Sequence, residues 1–209
     1  MLEFLTGTGL AVSAGLNAYI PLLALGLAGR FLDAVSLPAG WTWLENPWVL
    51  GILAVLLVVE LVADKIPVVD HFNDWIQTVV RPTAGGLAFG SGATATTAAV
   101  TNPQDFFSAN QWIPIVLGVA IALAVHLAKS AVRPMVNAAT AGIMTPVVSA
   151  AEDVGSVVLS VLAILLPVLV VLALAVAFWV LWRVSRRFRK RNGRSREEPA
   201  ASAKDEVLP

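Results

Sequence analysis

Long apolar runs separated by short polar breaks dominate this chain. Roughly 20 mostly apolar residues cross a hydrocarbon core about 30 Å thick, so the runs predict membrane spans. Three are plain: residues 5–29 up to Arg30, residues 48–64 up to Asp64, and residues 155–182, mostly Val, Leu and Ala. A fourth, 112–132, is apolar except for His126, Lys129 and Ser130 near its end. Two weaker segments, 82–100 and 134–151, are rich in Gly, Ala, Ser and Thr, which suit helices packed among helices because small side chains let backbones approach. The expected fold is all-α: a polytopic transmembrane helical bundle of about six membrane segments, the two small-residue ones either crossing or re-entrant, plus a cytoplasmic amphipathic helix.

The tail RVSRRFRKRNGRSR follows the last span directly. Basic clusters beside a span stay cytoplasmic, which places the C-terminus inside a multi-pass cell-membrane protein. Counting back through six spans puts the N-terminus inside as well. Lys65, Arg81, Lys129 and Arg133 then fall on the cytoplasmic side, whereas four spans would move Lys129 and Arg133 outside; Arg30, external with six, is the exception. The first span opens with Glu3 and no basic residue, so it is read as uncleaved. Two regions result, a transmembrane domain over 1–182 and a tail over 183–209. The basic half of the tail is expected to meet anionic lipid headgroups at about 1 kcal/mol per Lys or Arg, and the polar half from 192 to be a disordered end. Membrane lipids are thus the expected partners, with a homo-oligomer through the small-residue helices and no nucleic acid.

Composition agrees: of 209 residues 57% are apolar and only 13% charged, outside soluble-domain values. The formal net charge of zero hides an imbalance, since up to Trp182 there are five basic residues against ten acidic ones, and beyond it nine against four. Without cysteine the chain makes no disulfide, thiolate nucleophile or cysteine metal site.

Charges at membrane depth cost on the order of 2.5–3.5 kcal/mol each, which makes them the functional candidates. Around DKIPVVDHFNDWIQTVVRP, helical spacing puts Asp70, His71, Asp74, Gln77, Thr78 and Arg81 on one face and Phe72, Trp75, Ile76, Val79 and Val80 on the other. This amphipathic helix is expected to lie at the cytoplasmic interface, polar face to water, or to line a cavity. Glu60 and Asp64 stand one turn apart just upstream, with Lys65 and Arg81 as available counter-ions. Downstream, His126, Lys129 and Arg133 recur at spacings of three and four on one face directed toward the bundle, and Asn137 begins the next helix. They form an anion site, pair with the carboxylates, or snorkel to headgroups; His126, deeper, is a buried imidazole or a proton relay. Glu152 and Asp153, opening the last span, supply negative charge at a helix N-terminus. In the first span Gly15, Asn17, Tyr19 and Pro21 interrupt the apolar run, and Pro21 frees a carbonyl near Asn17, as in the broken helices of transporters or in a simple kink.

Asp74 and His126 each precede an Arg-Pro by the same interval, at Arg81-Pro82 and Arg133-Pro134. Each Arg-Pro reads as a cytoplasmic hinge between an inbound and an outbound span, giving two parallel hairpins, 48–100 and 112–151, by duplication or by coincidence. A metal held by Asp70, His71, Asp74 and His126 lacks the doubled Glu-x-x-His of a diiron bundle. Membrane phosphatases carry Lys-x6-Arg-Pro and Pro-Ser-Gly-His blocks that are missing here, as are nucleophile-elbow, P-loop and zincin motifs. No cofactor, metal or catalytic residue is expected, and an enzyme is the third-ranked class.

The strings SAGLNAYIPLLALGL, ELVADKIPVVDHFNDWIQTVVRPTAG, HLAKSAVRPMVNAATAG and SAAEDVGS together resemble a bacterial integral-membrane family known only as domain of unknown function 4126. The resemblance implies a compact multi-pass protein and supplies no activity. It brings forward Asn17, Asp64, Lys65, Pro67, Asp70, His71, Asp74, Arg81, His126, Lys129, Arg133, Asn137, Glu152 and Asp153. The expected function is a small transporter or channel-like protein whose acidic and basic clusters handle a proton, small ion or anionic solute. The alternative is a non-catalytic assembly or lipid-organising protein whose charges form a structural ion-pair network.

Overall fold

A computed structural model describes residues 1–65, 67–93, 112–176, 179 and 183, the side chains of 67–72, 74, 93, 137 and 139 excepted. Among the described residues every regular element is helical: α1 (Leu2–Leu16), α2 (Tyr19–Phe31), a 3-10 turn (Thr42–Glu45), α3 (Pro47–Ala63), α4 (Pro67–Ala93), α5 (Trp112–Thr140), α6 (Thr145–Leu165) and α7 (Pro167–Val176). Two are long and apolar enough to cross a membrane, α5 over Trp112–Val136 and α6; α1, α2, α3 and α7 are apolar but shorter. The loop carrying Asp105 and the basic tail beyond Arg183 lie outside the described residues. The chain divides into two compact units, Met1–Val170 and Val171–Pro209. In the second, the Arg183 guanidinium lies over the Trp179 ring, 5.1 Å from its centroid.

The first apolar run is not one helix. Asn17 takes an extended conformation (φ −144°, ψ 125°), and its Oδ1 accepts from the backbone N–H of Tyr19 (3.1 Å) and of Ile20 (3.2 Å). Asparagine competes for backbone donors in this way, which suits it to a helix start better than to a helix interior. Pro21 falls in the first turn of α2, where its missing N–H costs nothing, so the freed carbonyl at the break comes from Asn17 and not from Pro21. The two limbs lie side by side. Phe89 packs on Gly7 and Thr6 on Gly92, while Trp41, in the loop after α2, covers Gly90. The start of α1 and the end of α2 therefore share the C-terminal end of α4, and Asn17 is the tip of a helical hairpin at the opposite end.

α1 is the central element, packed against α4, α5 and α6. Its Gly7, Gly9, Leu10, Ala11, Ser13, Ala14 and Gly15 are all buried. Ser13 Oγ lies 2.7 Å from both Ser156 Oγ and Ser160 Oγ of α6, a hydroxyl cluster that ties the two helices where neither has a charge. α4 and α5 run antiparallel: a Cβ on Gly85 would strike Ala122 and the Gly118 carbonyl, one on Gly90 would strike Ile115, and Thr78 reaches His126. Glycine at Gly85 and Gly118 thus lets two backbones nearly touch.

Both Arg-Pro pairs lie inside continuous helices, Pro82 in α4 and Pro134 in α5, so neither is a hinge. A helix-interior proline removes one backbone bond, and packing against neighbouring helices holds the axis through it. Segment 82–93 accordingly prolongs the amphipathic helix instead of starting a span, and Asn137 lies in α5 instead of opening the next helix. The chain reverses later, at Ala141 (φ 50°) and Gly142 (φ 78°), where the left-handed conformation suits glycine. α6 starts at Thr145, earlier than the span expected from 155, and ends at Leu165, with Leu166 as its cap ahead of Pro167.

Polarity is arranged inside out. Among the described residues Ile52, Val55, Val58, Val59 and Val62 of α3 and Val154, Val157, Val158 and Val161 of α6 are exposed, while Glu60, Asp64, Arg81, His126, Lys129 and Arg133 are buried.

Candidate functional site

The ends of α1 and α3, the middle of α4, the later half of α5 and the start of α6 converge at the hairpin tip. Glu60 in the last turn of α3 and Asp64 just beyond it share a face, one turn apart. Arg81 Nη2 donates to Glu60 Oε1 at 2.9 Å and to Asp64 Oδ2 at 3.4 Å. Asp64 Oδ2 also receives Arg133 Nη2 at 3.3 Å and lies 3.7 Å from Lys129 Nζ. Arg133 and Lys129 then meet on Glu152 Oε2, at 2.7 and 2.8 Å. The two Arg-Pro arginines, from different helices, therefore meet on one carboxylate. Three cations and three carboxylates alternate, so each buried charge faces opposite charge, the condition for burying it without an uncompensated desolvation cost. Asn73 Nδ2 donates to the other Asp64 oxygen at 2.7 Å.

The broken helix enters the same network. Lys129 Nζ donates to the Leu16 carbonyl at 3.0 Å, an acceptor left free where α1 ends, and a cation suits the negative end of a helix dipole. Asn17 caps α2 with its oxygen and donates from Nδ2 to Asp153 Oδ1 at 3.0 Å. His126 bridges Arg81 and Thr78: its Nδ1 lies 3.3 Å from Arg81 Nη1 and its Nε2 3.1 Å from Thr78 Oγ1. A guanidinium only donates, so Nδ1 is the accepting nitrogen toward Arg81.

Most expected site residues meet here: Asn17, Glu60, Asp64, Arg81, His126, Lys129, Arg133, Glu152 and Asp153. The acidic and basic clusters touch directly, and Lys129 and Arg133 do not snorkel. Glu152 is not an N-terminal charge on its helix; it lies two turns into α6 and pairs with Lys129 and Arg133. Lys65 is not a counter-ion of Glu60 or Asp64, because its Nζ turns back to the Leu61 carbonyl at 2.8 Å and the residue is exposed. The side chains of Asp70, His71, Asp74 and Asn137 lie outside the described residues. The polar face of α4 turns inward at Gln77 and Arg81, while Trp75 on the apolar face is 82% exposed, the reverse of a helix whose polar side meets water. Asn73, Ser13, Ser156 and Ser160 were not anticipated. Small hydroxyls and one amide in long apolar or polar stretches carry no pattern until the helices are paired.

Fold and site together define an all-α helical bundle with a charge-balanced ion-pair network buried at the tip of a broken-helix hairpin. The chain belongs to the family described as a domain of unknown function (DUF4126), which matches residues 4–187. Searches of curated proteins and of solved structures return no match.

Proposed function

We propose that this is a multi-pass membrane protein that passes a proton, small ion or anionic solute past the hairpin tip, with the ion-pair network as the closed gate. The observation that carries the reading is the broken helix, whose freed Leu16 carbonyl and capping Asn17 are both engaged by charged side chains, Lys129 and Asp153. Interrupted helices with ionisable residues at their ends are how transporters hold ions and solutes within a bilayer. Aliphatic faces turned outward around buried charges support placement in lipid.

In this reading the charged end is cytoplasmic, because Lys65, Lys129 and Arg133 gather there. The limbs of the hairpin, 15 and 13 residues, are about 22 and 20 Å long at 1.5 Å per residue, so they form a re-entrant hairpin entered from the far side. The N-terminus is then external, in place of the cytoplasmic position expected from six simple crossings, and α3 to α6 cross in alternation. Anionic headgroups are the proposed partners of the tail. The homo-oligomer is carried no further, because the glycines of α1 and α4 are closed against α5, α6 and one another within one chain.

Purified protein in liposomes should accelerate equilibration of protons, potassium or chloride, each read by its own fluorescent indicator. Asp64→Asn and Lys129→Met should abolish the acceleration. Wild-type vesicles indistinguishable from protein-free ones for all three would sink the proposal. A second reading, a structural clasp in an assembly or lipid-organising protein, is favoured by the alternation of the three cations with the three carboxylates; it expects no flux, and lower thermal stability in both variants.

A further inference from the structure

Glu60 stands apart from the other carboxylates of the network. Asp64 is met by Arg81, Arg133, Lys129 and Asn73, Glu152 by Lys129 and Arg133, and Asp153 by Asn17. Glu60 Oε1 takes one bond from Arg81, whereas Oε2, fully buried, has no hydrogen-bond partner among the described residues. α4, which supplies Arg81, carries a second acceptor in the same condition. Gln77, one turn before Arg81 on the same face of α4 and 2% exposed, has its Oε1 buried without a partner. The half-buried Tyr19, on the first turn of α2 at the hairpin tip, lies within electrostatic range of both Glu60 and Arg81. Two buried acceptors without a donor are unfavourable, and one proton shared between them would satisfy both. A neutral carboxyl bearing hydrogen on Oε2 donates to Gln77 Oε1, while Oε1 keeps its bond from Arg81.

We propose that Glu60 is the proton-binding residue of this protein, taking a proton on Oε2 and donating it in a hydrogen bond to Gln77, with Tyr19 at the hairpin tip as its neighbour toward solvent. The step is a simple protonation: hydronium from the solvent gives up the proton, one of its O–H bonds breaks as one forms on Glu60, and water is left behind. The charged and titratable groups facing Glu60 are Tyr19 from α2, Asp64 beyond the end of its own helix, Arg81 from α4 and Lys129 from α5, with His126 behind Arg81. Protonation turns the Arg81 contact on Oε1 from an ion pair into a hydrogen bond to a neutral carboxyl, which weakens the bond between α3 and α4 at the end where the network closes. The inference deepens the transport reading by naming its cation, but its readout does not require transport.

The experiment is infrared difference spectroscopy of the full-length protein in lipid across a pH titration. The expected result is a protonated-carboxyl stretch that titrates, shifts in heavy water, disappears in Glu60→Gln and remains in Glu152→Gln. Gln77→Leu, which leaves Glu60 in place, should move the band to the higher frequency of a carboxyl without that hydrogen bond. A band that survives in Glu60→Gln, a band unmoved in Gln77→Leu, or the absence of any titrating carboxyl in the wild type would each overturn it. Titration of Glu60 in a protein that moves no ion would leave this proposal standing and remove the transport reading.

Discussion

Asp64 carries more of the network than any other side chain, because one of its oxygens serves Arg81, Arg133 and Lys129 and the other serves Asn73. Removing the charge leaves three cations facing two carboxylates in a buried place, and breaking one side of such a cluster costs about 3–5 kcal/mol. Asp64→Asn is therefore expected to lower the melting temperature in detergent strongly, while Lys65→Met, one residue on and exposed, leaves it unchanged; equal melting of both would show that Asp64 is not the centre. At this scale spacing alone carried far. A one-turn separation of Glu60 and Asp64, and intervals of three and four among His126, Lys129 and Arg133, placed each set on one helix face before any packing was known. Glu152 escaped, because its partners lie in another helix and its position looked like a helix start.

Helices are where local rules and packing part company. Proline was expected to break two helices and breaks neither; asparagine breaks one. The difference is physical: Pro82 and Pro134 each forgo one backbone bond inside a helix clamped along its length by neighbours, whereas Asn17 offers an oxygen that replaces backbone acceptors for two N–H groups of α2. Asn17→Ala removes that cap, worth about 1 kcal/mol, together with the bond to Asp153, and should lower the melting temperature by several degrees. Pro21→Ala should leave it where it was, because a first-turn proline forfeits nothing. If Pro21→Ala proves the more damaging, the hairpin is a proline kink after all.

For the whole molecule the decisive feature is the reversal at Asn17, since under the proposed membrane placement it changes which side the N-terminus reaches. The chain has no cysteine, so single substitutions can be labelled in intact cells without background. With a membrane-impermeant maleimide, Leu2→Cys and Ser36→Cys should react from outside, and Lys65→Cys and Ala141→Cys only after permeabilisation. Leu2→Cys reacting together with Lys65→Cys would dissolve the hairpin topology. By itself the sequence determined the helical class, the apolar stretches and the helix faces on which charges fall, because these follow from periodicity along one strand of chain. Only the tertiary structure decided that the acidic and basic faces close on each other, that Glu152 completes them, and that one apolar stretch is a hairpin. Those outcomes rest on which helices pack together, and glycines such as Gly85 and Gly118 set that by how closely two backbones can approach, something no local pattern encodes.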